Sequence, residues 1–155
     1  MTRKLQHEIR QSKPFTSLEQ EAHLSIVRTA AALLDGFDRM LAPADITASQ
    51  YNVLRILRGA DPEGLCRNDV RDRMVNRMPD MTRLLDRMEK AGLVTRHRDT
   101  EDRRIVTTRI TDKGRKLLDE LESEAAREHE RRLGHLSDMK LRQLIELLSE
   151  VREAT

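Results

Sequence analysis

Along most of this chain apolar residues recur three and four positions apart, the spacing that gathers side chains on one face of an α-helix. The first such stripe is Ile26, Val27, Ala30, Leu33, Leu34, Phe37, Met40 and Leu41. Ser17-Leu18-Glu19-Gln20 precedes it and fits a capping box, so a long helix is predicted from about residue 17 until Pro43 ends it. The polar stretch 1–14 ahead of that helix, closing in Lys13-Pro14, reads as a loosely ordered arm. Thr47-Ala48-Ser49-Gln50 is a second capping box, opening a short helix with Tyr51, Leu54 and Leu57 on one face. Gly59 and Asp61-Pro62-Glu63-Gly64 then turn the chain. A third, two-turn helix over about 67–74 buries Val70 and Met74. A fourth runs to Ala91, with Pro79 tolerated as its first residue, Asp80 suited to the positive end of its dipole, and Gly92 as its stop. Met81, Leu84, Leu85 and Met88 form its apolar face; Asp80, Arg83, Asp86, Arg87 and Lys90 form the other.

After Gly92 the pattern changes from helical to extended. Residues 93–98 and 104–110 are rich in β-branched side chains, and the polar tip Asp99-Thr100-Glu101-Asp102-Arg103 lies between them, which predicts a β-hairpin with a charged, exposed loop. Thr111 can cap a fifth, Glu-rich helix whose stripe is Leu117, Leu118, Leu121, Ala125 and His129, with Gly134 near its end. Ser137 can cap a sixth, with Leu141, Leu144, Ile145, Leu147, Leu148 and Val151 along it. The expected fold class is therefore mainly α with a small β-hairpin, in one domain, because 155 residues suffice for one ordinary core.

Composition narrows the function classes. The longest apolar run, residues 30–34, is far shorter than the roughly 20 residues a membrane span needs, and the start MTRKLQHEIRQSK lacks the apolar core of a signal peptide. No membrane role and a cytoplasmic location are expected. The single Cys66 leaves no intramolecular disulfide and no Cys-x-x-Cys pair. Phe15, Phe37 and Tyr51 are the only aromatic residues, too few for a stacking platform that would bind single strands. The formal charge is only +2, yet residues 67–109 carry 12 basic and 8 acidic side chains, and 11 of the 12 are arginine. Arginine's planar fork grips phosphate or the O6/N7 edge of guanine, although Asp69, Asp72, Asp86 and Glu89 interleave here and a solvated, ion-paired surface fits the same pattern.

Catalytic signatures are missing. The six glycines are too scattered for a phosphate cradle, and neither a GxSxG elbow nor an HExxH pair occurs. No two of the five histidines are three or four residues apart; a zinc site from distant helices, such as His23 with His129, is disfavoured against interfacial histidines. Neither an enzyme nor a cofactor is expected.

A short helix, a tight break, a second helix with an arginine face and a basic hairpin follow one another in the order of a winged helix-turn-helix. The second helix of such a unit fits the major groove of B-DNA, and the hairpin tip can place arginine in the minor groove. The same order could serve a winged-helix protein-protein interaction module that does not bind DNA.

Specific motifs strengthen the first option. Thr82-Arg83-Leu84-Leu85-Asp86-Arg87-Met88-Glu89-Lys90-Ala91-Gly92-Leu93-Val94, then Arg96, Asp99-Thr100-Glu101-Asp102-Arg103-Arg104 and Ile110-Thr111-Asp112-Lys113-Gly114, together with Ile46-Thr47-Ala48-Ser49-Gln50-Tyr51-Asn52-Val53-Leu54, resemble the MarR family of transcriptional regulators from about residue 18 to 151. The resemblance implies a homodimer on double-stranded DNA with a palindromic operator, a repressor more than an activator, with 47–110 as the winged helix-turn-helix and 15–42 and 111–153 as dimerisation helices. Those stripes could also merely cover each chain's own core. Arg77, Pro79, Asp80, Thr82, Arg83 and Arg87 fall on or beside the family's recognition-helix contacts. Asp80 stands where many members have Ser or Thr, and could accept from cytosine N4 or serve the helix end. Arg67 and Asn68 match phosphate contacts. Arg96, Arg98, Asp102, Arg103 and Arg104 belong to the wing, Asp102 resembling an acidic residue that pairs with a nearby arginine, and Arg103 or Arg104 reaching the minor groove. Many members bind a small aromatic or phenolic effector between the dimer helices and the winged domain, so such an effector is implied, with its pocket unassigned. Members that sense oxidants use a cysteine near the first helix, where this chain has none; Cys66 lies instead beside the helix-turn-helix.

Overall fold

The computed structural model describes residues 4–100, 102 and 104–154. A short helix, α1 (Lys4–Glu8), occupies the stretch that polarity alone suggested was an arm. It is followed by the long α2 (Leu18–Leu41), capped by the Ser17 hydroxyl accepting from the backbone of Gln20. The expected capping box is only half made there: the Gln20 side chain accepts from Thr16 and not from the cap residue. A 3-10 turn containing Pro43 (Ala42–Ala44) leads to α3 (Ala48–Gly59), whose Thr47–Gln50 box is complete. Strand β1 (Leu65–Cys66), α4 (Arg67–Asp72) and α5 (Met81–Lys90) follow, then β2 (Val94–Arg98), β3 (Val106–Ile110), α6 (Asp112–Leu133) and α7 (Asp138–Glu153).

The three strands form one antiparallel sheet in the order β1-β3-β2, with Leu65 opposite Thr108 and Thr108 opposite Arg96. β1 was not anticipated, since two residues carry no detectable alternation. Gly92, at φ +73°, takes the left-handed conformation that lets the chain leave α5 and enter β2 at once. The core lies between α3, α5, α6 and the sheet: Val53, Leu54, Leu57, Val70, Leu85, Met88, Val94 and Leu118 are all fully buried. Arg58 with Asp119, at 3.3 Å, and Arg115 with Asp61, at 2.7 Å, fasten α6 to the other side of this body.

The remaining helices are different. α2 buries only Gly36 and Leu41 along 24 residues, and α7 buries none along 16. Ile26, Val27 and Leu34 on α2, and Leu144, Ile145, Leu147 and Val151 on α7, stand exposed. A sequence stripe of that width reads as core, but within one chain these residues are left largely uncovered. One charge does sit where α2 crosses α6: Glu128 is only 4% exposed and is held by Arg131 and by Arg132, the latter at 2.8 Å. No helix among the described residues is long and apolar enough to cross a membrane.

Candidate nucleic-acid interface

The front of α5 is assembled by a few polar struts. Asp80 is the cap, its carboxylate accepting from the backbone of Arg83 at 3.0 Å, so the helix starts at Met81 and Pro79 lies before it, not in its first turn. Asp80 thereby serves the helix end, one of the two roles open to it. Ahead of the cap, Val75 donates its backbone N–H to Asn52 of α3 at 2.9 Å, and the Ser49 hydroxyl donates to the Met78 sulfur at 3.5 Å. Across the turn, Arg67 donates to the Thr82 hydroxyl at 2.9 Å, locking the front of α4 to the front of α5. With Met81, Leu84, Leu85 and Met88 turned into the core, Thr82, Arg83 and Arg87 are left on the outer surface. Arg83 and Arg87 are one turn apart and therefore share a face.

The wing tip is shaped by its own carboxylates. Asp99 accepts from the backbone of Asp102, and Asp102 accepts from the backbone of Arg104, both at 3.0 Å. Asp102 was expected to pair with an arginine side chain; among the described residues its partner is a main-chain N–H, which makes it a turn-former. Arg98 and Arg104 are exposed on either side of this tip. Arg103 lies outside the described residues.

Within residues 67–109, the arginines separate by partner into tied and free. Arg71 is paired with Asp72, Arg109 donates to the carbonyl of Glu63, and Arg96 is bound by Glu89 and Asp86. Among the described residues Arg73, Arg77, Arg83, Arg87, Arg98 and Arg104 have no side-chain partner. All six lie on the turn after α4, the outer face of α5 or the wing, and Asn68 at the front of α4 is exposed beside them. Arg73 was not singled out in the sequence; only its lack of a partner marks it. Freedom from a protein carboxylate is what a phosphate or a base edge requires, since a guanidinium already saturated has little to offer.

Behind this face lies a cleft of about 490 Å³ between α2, α3, α6 and the segment before α5. Phe37 forms its wall, edge-on to Tyr51 at 5.3 Å and stacked on His129 at 5.4 Å. Leu34, Ile56, Met74 and Val75 add apolar surface, Arg55 and Asn52 polar groups. His129 is thus occupied with Phe37, and the described residues gather no group of three or more His, Cys, Asp and Glu suited to a metal. Cys66, half-buried, donates its thiol to Asp69 at 3.1 Å.

Comparison with known proteins identifies this arrangement. Residues 46–106, the span from the start of α3 to the start of β3, match the family model described as "MarR family". A crystal structure of a MarR transcription factor from Planctomyces limnophilus is 42% identical, over 88% of this chain and 98% of that one, with a TM-score of 0.68.

The chain belongs to the MarR family.

The HTH-type transcriptional regulator FarR of Neisseria gonorrhoeae is 29% identical over 91% of this chain and 97% of its own. The fold, though not close sequence, is shared with the MepR–DNA complex of S. aureus, at 24% identity, coverage of 92% and 100%, and a TM-score of 0.78. This MarR-family protein is accordingly a winged-helix, DNA-binding transcriptional regulator and not an enzyme.

Proposed function

We propose that the protein works as a homodimer on a palindromic operator, represses transcription there, and is released by a small aromatic or phenolic effector. The observation carrying this reading is the set of unpaired arginines on α5 and the wing. In the proposed complex, Pro79, Asp80, Thr82, Arg83 and Arg87 face the major groove, with Arg77 on its rim. Arg67 and Asn68 touch phosphate, and the wing carries Arg98, Asp102 and Arg103 or Arg104 to the minor groove. The MepR–DNA complex, which shares the fold, supports such docking. Dimerisation through residues 15–42 and 111–153 is supported by the uncovered apolar faces of α2 and α7. A two-fold dimer sets half-sites about 10 base pairs apart.

The effector fits the cleft beside Phe37, where an aromatic ring would meet Phe37, Tyr51 and Met74, and a phenolate or carboxylate would meet Arg55. Val75, 84% exposed, belongs to both the cleft and the segment leading into α5, so a ligand there presses on the helix that reads DNA. Selection of bound sites from a random DNA pool tests the reading: a palindrome with half-sites about one turn apart is expected. Recovery of no sequence preference, or of a single unrepeated half-site, would sink it. Titration of the selected complex with aromatic acids tests the effector.

A further inference from the structure

Arg96 is placed by sequence among the DNA-contacting arginines, yet its guanidinium is already engaged. Its Nε and Nη2 donate to Glu89 Oε2 at 3.0 and 2.6 Å, and Nη2 also lies 2.6 Å from Asp86 Oδ1. The backbone N–H of the same residue donates to the other Glu89 oxygen at 3.1 Å. One carboxylate of α5 therefore holds both the main chain and the side chain of one β2 residue, and the Arg96 side chain is left only 26% exposed. The Glu89 carboxyl is held below its ordinary range chiefly by the hydrogen bonds from Arg96, and the Arg96 pKa is raised chiefly by Glu89, as a formed pair requires.

The position on the sheet matters as much as the chemistry. Arg96 pairs with Thr108, the rung that β1 still supports through Leu65. One rung further, His97 opposite Thr107, ends the reach of β1, and Arg98 opposite Val106 is part of a bare two-stranded ribbon. Such a ribbon is marginal by itself. The ion pair thus grips the wing near the last place where it is still part of the sheet, two residues or about 7 Å from Arg98. Asp86 and Glu89 also carry negative charge on a helix that must approach a polyanion, where carboxylates without another task would only repel.

We infer that Arg96, Glu89 and Asp86 form a clamp that fixes the wing to the reading helix, making Arg96 a positioning residue that acts on operator binding without touching DNA. Through it the free arginines of α5 and those of the wing meet the two grooves as one preset unit. The inference rests on the DNA face proposed above.

The test uses the full chain on its selected operator and turns on a sign. Removing an acid from a DNA-facing helix ordinarily tightens binding. Under the clamp, Glu89→Ala weakens it about tenfold, and Arg96→Lys does likewise despite its retained charge. In a background carrying Arg98→Ala, Arg103→Ala and Arg104→Ala, where the wing has little left to place, Glu89→Ala no longer weakens binding. The thermal midpoint serves as the check on folding. Glu89→Ala binding as tightly as wild type or tighter, Arg96→Lys binding at full strength, or an undiminished Glu89→Ala loss in the wing-deficient background would each overturn the clamp. A wild-type chain that selects no site overturns the DNA face beneath it, and with it the clamp.

Discussion

Ile145 offers the sharpest probe of the proposed dimer, because within one chain it does almost nothing. It is 65% exposed in the middle of α7, between the half-buried Leu141 and Leu148. Full burial of a side chain this size is worth about 1.5–3 kcal/mol, so some two-thirds of that, about 1–2 kcal/mol, is still to be gained against a partner. Two-fold symmetry counts the residue twice, giving about 2–4 kcal/mol per dimer. Ile145→Asp forfeits this and puts a carboxylate into an apolar seam, which adds to the loss. At about 1.4 kcal/mol per tenfold, the dimer dissociation constant should rise at least about 30- to 700-fold. Sedimentation velocity from nanomolar to tens of micromolar protein reads this directly, with far-ultraviolet circular dichroism to verify that the helices remain. Operator affinity should fall in parallel, since a monomer presents a single reading head. An Ile145→Asp chain that stays helical and dimerises with the wild-type constant would refute the assignment of α7 to the interface.

Other expectations follow from the same geometry. Arg83→Ala should cost about 1–3 kcal/mol of operator binding and relax preference at one base position if the free guanidinium reads a guanine edge; a titration on operator variants with unchanged affinity and preference removes that role. Gly64 has φ +77°, and a Cβ there would lie 2.4 Å from the Thr108 carbonyl oxygen, so Gly64→Ala should destabilise the fold by about 1–3 kcal/mol, read from a urea midpoint. The Glu89 pKa is lowered in the folded chain, so its stabilisation is present above the unfolded value of about 4.3 and is lost as the pH falls through the lower folded one. The difference in melting temperature between wild type and Glu89→Ala should accordingly hold from pH 7 to 5 and shrink on further acidification. A difference that grows instead would contradict the pairing.

Helices were legible where the signal is local. The Thr47 box, the Gly92 stop and the β-branched run that follows it each depend on residues within a few positions, and each stands in the structure. The half-made box at Ser17 shows where such reading fails, since Gln20 had two neighbours to serve and took Thr16. Pro79 was misplaced by two positions because Asp80 could cap as well as it could follow a cap. Strand β1 was invisible because two residues become a strand only by pairing with Thr107 and Thr108, some 40 positions away. The cleft proposed for the effector was unreadable for a similar reason: Phe37, Tyr51, Met74 and His129 come from four separate stretches of chain.

By itself, the sequence determined the helices after the first, the hairpin, the arginine-rich middle segment and the family, because these depend on periodicity, capping chemistry and residue order, which are local or linear. Tertiary structure alone decided which arginines are free to meet DNA. Arg83 and Arg96 look equivalent in the chain, but packing α5 against β2 sets Arg96 on Glu89 and Asp86 and leaves Arg83 facing outward. It also decided that much of the stripes of α2 and α7, indistinguishable in sequence from core stripes, remains uncovered. The physical reason is the same in both cases: periodicity states which side chains share a face, and only the packed structure states what that face meets.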